Sequence, residues 1–276
     1  MSEVPRPVDT TLSAITVHIN AGGRGTRIEP VIPAHLIHPT LGVSKALLSV
    51  GTEKTPLIDH HIANLLNIGA GSIVAAVGDH EHVGRRVLQR FADQPRVHAV
   101  GTMRQRGTGG DLLDALRTYP EYYAGEVMVK NVDTVLDIDH DEFLDQHRQS
   151  GGGLTIALTQ NRGVPNQDAF YVAGNSRVLY SAEAAANQID ETTAAQQAAW
   201  RGSSTGAIIV DRELLHDMPD DDEPLSLYRD VVGFALGQGA LSAYNNHDKF
   251  FLDVGTVQTW HQAVSESSVL QSYLET

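Results

Sequence analysis

Short apolar runs alternate with amphipathic segments through the first 160 residues of the chain. Continuous apolar runs, typical of strands buried on both faces, occur at 14–19, 72–77 and 154–159. From Leu57 to Ile68 the apolar positions instead recur at helical spacing, with Pro56 favouring a helix start and Gly69 a helix end. Strands that alternate with helices predict an α/β fold in which a mostly parallel sheet is flanked by helices.

Beyond residue 160 the pattern changes to shorter segments. Two apolar segments flank Gly174-Asn175, which predicts a hairpin of 169–172 with 177–180. Further helices are predicted at 182–200, 225–236 and 257–273, and further strands at 206–210, 241–244 and 250–252. Because no repeat and no linker interrupts the chain, residues 14–276 are predicted to form one domain after a disordered leader at 1–13.

Three stretches of unusual composition follow directly after predicted strands, at 20–27, 105–111 and 131–133. The first two are rich in glycine, and the third is Asn131-Val132-Asp133. In open α/β sheets, ligands bind in the crevice beyond the carboxyl ends of the strands. The three stretches are therefore expected to meet at one ligand site.

The first of these loops, Asn20-Ala21-Gly22-Gly23-Arg24-Gly25-Thr26-Arg27, is suited to binding an anion. Its glycines lack the side chains that would keep a phosphate away from backbone N–H groups. Arg24 and Arg27 offer forked donors to phosphate oxygens. An ordinary glycine-rich turn after a strand is the alternative, because a single glycine-rich loop is a weak signal.

The charge and composition narrow the classes of ligand. The chain has 276 residues, no cysteine and a formal net charge of −14, which argues against a nucleic-acid binder and excludes disulfides and thiolate metal sites. No apolar run approaches the ~20 residues that span a membrane, and the first residues lack an apolar signal core, so a cytoplasmic protein is predicted. This acidic protein concentrates cations in one part of the sequence, at Arg24, Arg27 and Lys45. The concentration strengthens the interpretation that the glycine-rich loop binds phosphate.

Two aspartates, Asp133 and Asp253, stand at the ends of predicted strands. Either alone is more often a turn or helix cap, but carboxylates on rigid elements are natural ligands of Mg²⁺, which usually needs only one or two of them besides phosphates and water. A phosphate loop, Lys45 and two metal carboxylates suit phosphoryl or nucleotidyl transfer, in which the protein chiefly positions groups and neutralises charge.

Five segments form an ordered series over nearly the whole chain. Residues 21–30 read AGGRGTRIEP, 44–50 read SKALLSV, 107–110 read GTGG, 131–133 read NVD and 252–256 read LDVGT. In this order they resemble the G-x-G-T-R-L-x-P, P-K-x-L-x-x-V, base-proximal, N-G-D and D-x-G-T motifs of the sugar-1-phosphate nucleotidyltransferases. The GTGG segment is also similar to that of the heptose and mannose 1-phosphate guanylyltransferase branch.

The resemblance implies a Rossmann-like enzyme, with a mostly parallel mixed sheet flanked by helices. Such an enzyme joins a sugar or cyclitol 1-phosphate to an NTP, with Mg²⁺ as cofactor, and releases pyrophosphate. The resemblance implies a nucleotide-binding half at 14–160 and an acceptor-binding half at 161–276 within the same domain. It implies catalytic roles for Arg27, Lys45 and Asp133, and Mg²⁺ ligation by Asp133 and Asp253.

The resemblance also implies substrate contacts. Those to the nucleotide are expected from Ala21, Gly22, Gly23, Gly25, Thr26, Gln105, Gly109 and Gly110. Those to the acceptor are expected from Thr205 and Gly206. The expected partners are an NTP and a sugar 1-phosphate, with no nucleic acid and no membrane, and a homo-oligomer is left open.

Three departures from the family pattern stand out. Lys45 lies 18 positions beyond Arg27, about twice the usual spacing. Residues 182–185 are AEAA, at the position where the family often has Glu-Lys-Pro, whose lysine binds the sugar phosphate. Residues 204–206 are STG, at the position where Asn-Ala-Gly commonly contacts the sugar. The lysine could be replaced by another cation, for which the candidates are Lys130, Arg162, Arg201 and Lys249.

The altered acceptor half leaves alternatives open. The acceptor could be an unusual sugar or cyclitol phosphate, which is the interpretation we favour. The chain could instead be a non-catalytic, nucleotide-binding regulatory paralogue of the same fold. A cytidylyltransferase for a non-sugar alcohol phosphate is a more distant alternative, against which the segment Asp253-Val254-Gly255-Thr256 argues.

Overall fold

A nine-stranded mixed sheet forms the centre of the computed structural model. The structure describes residues 11–23, 25, 37–38, 42–50, 55–101, 106–160, 169–184, 186–219, 223–247 and 249–265. Within these residues the strands are β1 (Thr16–Asn20), β2 (Ile37–His38), β3 (Gly42–Val43), β4 (Ser49–Val50), β5 (Thr55–Pro56), β6 (Ser72–Ala76), β7 (Val97–Val100), β8 (Glu126–Asn131), β9 (Thr134–Leu136), β10 (Leu154–Thr159), β11 (Ala169–Val172), β12 (Val178–Ser181), β13 (Trp200–Asp211), β14 (Leu241–Asn245) and β15 (Phe251–Asp253).

The strand order places β1 at the centre of the parallel part of the sheet. Seven strands lie in the order β12-β11-β13-β8-β1-β6-β7, while β10 pairs with β13 and β14. β1 is parallel to both β8 and β6, and β7 is parallel to β6. β13 runs antiparallel to β8 and carries the sheet into the second half of the chain. The predicted fold class, a mixed sheet with parallel central strands and flanking helices, is confirmed.

Helices cover both faces of this sheet. They are α1 (Leu57–Asn67), α2 (Glu81–Arg90), α3 (Gly107–Thr118), α4 (His140–Gln149), α5 (Glu191–Gln197), α6 (Arg212–His216), α7 (Gly233–Gly237) and α8 (Val257–Ser265), and a π-helix spans Leu227–Val232. On β8, Met128 joins one apolar cluster, whereas Val127 and Val129 join the cluster on the opposite face. Successive strand residues point to opposite faces, so a sheet buried on both sides requires the continuous apolar runs seen in the sequence.

The N-terminal residues that the structure describes belong to the packed fold. Residues 11–14, at the end of the segment predicted to be a leader, include a turn of 3₁₀-helix, Leu12–Ala14, and Leu12 is buried in one of the apolar clusters. Residues 1–10 lie outside the described residues. Every helix in the described part of the chain is too short or too polar to cross a membrane. The cytoplasmic location stays a prediction.

Three segments differ from the elements predicted for them. The helix predicted at 182–200 is confined to α5, because the Asn187 side chain bonds the backbone of Ser181 and Ala184 and because Trp200 already begins β13. The helix predicted at 225–236 is a π-helix followed by α7. The glycine segment predicted as a loop instead begins α3 at Gly107, since its backbone is held by a neighbouring segment described below.

Candidate active site

The carboxyl ends of the central parallel strands meet at one edge of the sheet. Asn20, the last residue of β1, lies opposite Asn131 of β8 and Ala76 of β6. A cavity of about 530 Å³ opens beyond this edge, and its described lining is Asn20, Gly22, Gly23, Lys45, Gly78, Asp79, Gly107, Thr108, Asp111, Asn131, Val132, Asp133 and Tyr228. All three stretches predicted to converge contribute to this cavity, which we call the large cavity.

Two backbone turns approach each other closely at the floor of the large cavity. A Cβ built on Gly22 would lie 3.0 Å from the backbone nitrogen of Gly78, and Gly78 itself has a φ of +56°. Ala21 extends the pairing of β1 by donating its N–H to the carbonyl of Ala76 at 2.8 Å. Glycine is therefore needed at position 22 to let the two turns pack together.

A second cavity of about 280 Å³ adjoins the first. Its described lining is Asn131, Asp133, Thr134, Glu183, Ser204, Gly206, Tyr228, Phe251 and Asp253. The two cavities share Asn131, Asp133 and Tyr228, so these three side chains mark the junction between them. We call the second one the small cavity. Its described lining includes three carboxylates and neither lysine nor arginine.

Lys45, Asp133 and Asp253 converge beside Gly255. The Lys45 ammonium donates to Asp133 Oδ2 at 2.5 Å. A Cβ built on Gly255 would lie 2.6 Å from Asp253 Oδ1, 3.0 Å from Lys45 Nζ and 3.2 Å from Asp133 Oδ2. Only a residue without a side chain leaves room for these three charged groups together.

A short β-ribbon brings the two aspartates to the same place. β15 pairs antiparallel with β9, with Asp253 opposite Thr134, and the Val254 N–H donates to the carbonyl of Asp133 at 2.7 Å. Asp253 Oδ1 also accepts from the Gly255 N–H at 2.6 Å. Strand β9 was not predicted from the sequence, although both aspartates were.

The glycine segment at the start of α3 anchors the π-helix. The N–H groups of Gly109 and Gly110 donate to the carbonyl of Leu225 at 2.9 and 3.2 Å, and Thr108 Oγ1 accepts from the Leu227 N–H at 3.1 Å. A Cβ on Gly109 would lie 3.0 Å from the backbone of Ser226. Gly107 and Thr108 line the large cavity, whereas Gly109 and Gly110 pack against this neighbouring segment. Their predicted contact with a nucleobase stays a prediction.

The predicted nucleotide-binding residues are distributed between described and undescribed segments. Gly22 and Gly23 line the large cavity, while Ala21 and Gly25 are buried. Of this group, Thr26 and Gln105 lie outside the described residues, as does Arg27, which is predicted to be catalytic. Arg24 does so too.

The predicted acceptor residues differ from each other in orientation. Thr205 is fully buried, and its hydroxyl donates to the carbonyl of Ala157 at 2.9 Å, so its side chain is directed into the core. Gly206 lines the small cavity with a φ of +81°, and a Cβ there would lie 2.7 Å from Thr134 Oγ1. Ser204 lines the same cavity. The acceptor contacts stay a prediction.

The candidate replacement cations do not line the small cavity, as far as the structure describes them. Lys130, on β8, is buried, and burial lowers the pKa of its ammonium group to about 8. Arg201 and Lys249 are absent from the described lining. Arg162 lies outside the described residues.

A separate group of three potential metal ligands occupies the opposite edge of the sheet. Within the described residues, ligand atoms of Glu126, His147 and Asp211 lie within 4.8 Å of one another. Arg148 already grips the Glu126 carboxylate with two hydrogen bonds of 2.6 and 2.8 Å. His147 bonds Thr155 and Asp211, at 2.9 and 3.2 Å. These bonds fasten α4 to the sheet, so we assign the group a structural role.

Comparison with known families gives a match over most of the chain. Residues 18–268 match the family model described as nucleotidyl transferase. Over 144 residues the chain is 30% identical to the mannose-1-phosphate guanyltransferase of Debaryomyces hansenii and 27% identical to a probable mannose-1-phosphate guanylyltransferase 1 of Oryza sativa subsp. japonica. Each match covers 51% of this chain and 37% of the relative, so it spans little more than a third of the relatives' length.

Solved structures share the fold at low sequence identity. HddC from Yersinia pseudotuberculosis superposes with a TM-score of 0.68 at 18% identity, over 91% of this chain and 99% of that chain. HddC complexed with GMP-PN gives the same TM-score at 19% identity over the same shares. The inositol-1-phosphate CTP transferase from T. maritima gives a TM-score of 0.66 at 13% identity, over 95% and 96% of the two chains. At such identities the likeness concerns the fold.

Proposed function

This chain belongs to the nucleotidyl transferase family, and from that premise we propose that it transfers a nucleotidyl group from an NTP to a sugar or cyclitol 1-phosphate. The observation that carries the proposal is the pair of adjoining cavities, of about 530 and 280 Å³, which meet at Asp133. The large cavity has room for a nucleotide, and the small one has room for a phosphorylated sugar. A reaction between two substrates needs such a junction.

The geometry supports an in-line displacement at this junction. An oxygen of the acceptor phosphate attacks the α-phosphorus, a new P–O bond forms, and the bond from the α-phosphorus to the bridging oxygen breaks to release pyrophosphate. The acceptor phosphate is already ionised near neutral pH, since its second pKa is about 6. Lys45 bonds Asp133 at the junction, and there it would neutralise charge that develops in the transition state. We also propose that Arg27, which lies outside the described residues, contributes to this charge stabilisation.

The donor set around Gly255 suits Mg²⁺. Asp133 and Asp253 present carboxylate oxygens to the same point, at 3.2 and 2.6 Å from a Cβ on Gly255, and Mg²⁺ prefers such hard oxygen ligands. We assign Asp133 and Asp253 as the residues that would hold the ion. When bound, it would neutralise phosphate charge as a Lewis acid. The Lys45 ammonium offsets the negative charge of Asp133, so the two carboxylates and this ammonium can lie together in one site.

We propose GTP as the first nucleotide to test. The curated relatives are named as guanylyltransferases, and the neighbour HddC was solved with GMP-PN. CTP belongs in the same panel, because another neighbour is named as a CTP transferase. A sugar 1-phosphate panel should include mannose 1-phosphate, and inositol 1-phosphate tests a cyclitol acceptor.

The test is pyrophosphate release across this panel, with and without Mg²⁺. We expect release with at least one pair of substrates, its loss on chelation with EDTA, and a fall of roughly a hundredfold or more in Asp133→Asn. The matched control is Asp93→Asn, which alters an exposed aspartate outside both cavities and should leave the rate unchanged. Absence of release with every pair, or a wild-type rate in Asp133→Asn, would refute the proposal.

A regulatory, nucleotide-binding protein of the same fold is the second candidate. The observation in its favour is the small cavity, whose described lining offers neither lysine nor arginine to an acceptor phosphate. This candidate predicts that calorimetry detects GTP binding while no pair of substrates yields pyrophosphate. Robust product formation that depends on a metal would exclude it.

A further inference from the structure

We propose that Tyr228 binds the acceptor phosphate, as an O–H donor fixed at the junction of the two cavities. The inference rests on the proposed function, and it concerns what takes the place of a lysine in the small cavity. Tyr228 lies on the π-helix, in a segment predicted from the sequence only as part of a helix. Its neighbours in space, rather than its neighbours in sequence, indicate the role.

The position of Tyr228 is the first line of support. Together with Asn131 and Asp133, it lines both cavities. A carboxylate can only accept hydrogen bonds at neutral pH, whereas an amide and a phenol can donate them. The acceptor phosphate must reach this junction to attack the α-phosphorus, so a donor placed here meets the reacting end of the acceptor.

A chain of hydrogen bonds fixes the direction of the donors. Burial lowers the pKa of His18 to about 4, so the ring is neutral and carries one N–H. Its Nε2 faces the side-chain oxygen Asn20 Oδ1 at 3.1 Å and must donate, which leaves Nδ1 to accept from the Tyr123 hydroxyl at 2.8 Å. The Asn20 amide then donates to Asn131 Oδ1 at 3.2 Å.

This chain ends at Asn131, which lies beside Tyr228 in the lining of both cavities. Because Asn131 Oδ1 accepts from Asn20, its Nδ2 is the group left to donate. Ser204 donates to the Tyr228 phenol oxygen at 2.9 Å, while the Gly206 N–H donates to Ser204 Oγ at 3.1 Å. The phenol oxygen thus accepts a hydrogen bond from Ser204, and its own O–H is the group with which it donates to another partner.

The phenol stays protonated over the whole neutral range. Burial raises the pKa of Tyr228 to about 12, and the charges of Asp133 and Glu183 act in the same direction. The donor is therefore neutral and buries no additional charge. A hydrogen bond from such a group to a phosphate oxygen is charge-assisted and short.

The backbone around Tyr228 is anchored independently of any ligand. Thr108 Oγ1 accepts from Leu227 N, and Leu225 O accepts from two glycine N–H groups of α3. The π-helix is capped by Ser226, whose hydroxyl accepts from the Arg229 N–H. A donor on so firmly held an element is positioned before the substrate binds, which is what tight binding of a phosphate requires.

The experiment compares Tyr228→Phe with Tyr244→Phe by calorimetry. Both variants lose one partly buried hydroxyl that is hydrogen-bonded, but the Tyr244 hydroxyl donates to Glu142 at 2.7 Å, and Tyr244 lines neither cavity. Mannose 1-phosphate and inositol 1-phosphate are titrated separately into the protein saturated with Mg²⁺ and a non-hydrolysable GTP analogue. We expect acceptor affinity to fall at least tenfold in Tyr228→Phe, with affinity for the GTP analogue unchanged and with Tyr244→Phe like the wild type.

The inference would be overturned by unchanged acceptor affinity in Tyr228→Phe, by an equal loss in Tyr244→Phe, or by a wild type that binds neither acceptor. A fall in affinity for the GTP analogue as large as that for the acceptor would also contradict it. Because binding is measured without turnover, a protein that binds acceptor through Tyr228 but releases no pyrophosphate would refute the proposed function alone. Where turnover occurs, the acceptor KM should rise at least tenfold in Tyr228→Phe while kcat changes less.

Discussion

The Lys45 ammonium lies 2.5 Å from Asp133 Oδ2, although 88 residues separate the two in sequence. Both side chains are largely shielded from solvent, with exposed fractions of 11% and 21%. Lys45 begins a turn of 3₁₀-helix, and Asp133 lies in the turn between β8 and β9. Their contact places a cation and a carboxylate at the junction of the two cavities.

Removal of the Lys45 charge should slow turnover strongly while the chain still folds. Lys45→Met keeps the length of the side chain, but it leaves Asp133 without its cation and the transition state without a donor. We expect kcat to fall by roughly 10²–10³. Steady-state pyrophosphate release measures the change, and circular dichroism checks the fold. A rate within threefold of wild type would show that the pair is structural only.

A single methyl group added at position 255 should disrupt the cluster of Lys45, Asp133 and Asp253. In Gly255→Ala the new Cβ would lie 2.6 Å from Asp253 Oδ1 and 3.0 Å from Lys45 Nζ. The charged groups must move apart, and we expect roughly a hundredfold loss of activity because a displacement of ~1 Å costs about that much. Gly125→Ala is the control, since a Cβ there meets no atom within 4 Å. Equal activity in the two variants would contradict the arrangement.

The buried guanidinium of Arg106 should make its partner important for stability. Arg106 is 3% exposed, and its Nη1 donates to Asp114 Oδ1 at 2.8 Å. Asp114→Ala removes this charge-assisted hydrogen bond from the buried guanidinium, so the free energy of unfolding should fall by about 2 kcal/mol. Urea denaturation measures the loss. The control Arg229→Ala removes a guanidinium from an exposed pair, where solvent screens the attraction, and should cost clearly less stability. Similar losses in the two variants would be inconsistent with this reasoning.

Three buried histidines should make the fold sensitive to acid. Burial is the main cause that lowers the pKa of His18 to about 4 and that of His61 and His140 to about 3. The unfolded chain takes up protons from about pH 6.5 downward while the native state does not. Stability is therefore complete above pH 6.5 and is lost as the pH falls toward these lowered values.

His140→Phe tests this pH dependence at one site. The phenylalanine fills the space of the ring but cannot bind a proton. Between pH 6 and 4 the variant should lose about 1.4 kcal/mol less stability per pH unit than the wild type. Urea denaturation at several pH values gives the two slopes, with exposed His216→Asn as the control. Identical slopes for wild type and His140→Phe would mean that the native state protonates His140 as readily as the unfolded chain does.

The sequence by itself determined the sheet, the motif order and the members of the charged cluster. Strands that are buried on both faces, such as β1 and β10, can be recognised in the sequence as continuous apolar runs. Burial on both faces requires apolar side chains at successive positions of the strand. Lys45, Asp133 and Asp253 were found because residues at the carboxyl ends of parallel strands and in ordered motifs are readable from the chain alone. The family followed from the same motifs.

Only the tertiary structure decided which polar groups meet and how they are oriented. The pairing of β9 with β15 joins residues far apart in sequence, and the glycines of α3 prove to serve close packing against the segment that carries Tyr228. The side chain of Thr205, predicted to contact the acceptor, is directed into the core. Tyr228, which belongs to none of the sequence motifs, lies at the junction of the cavities. Such contacts join segments that are distant in sequence, so the local periodicity of the sequence does not predict them.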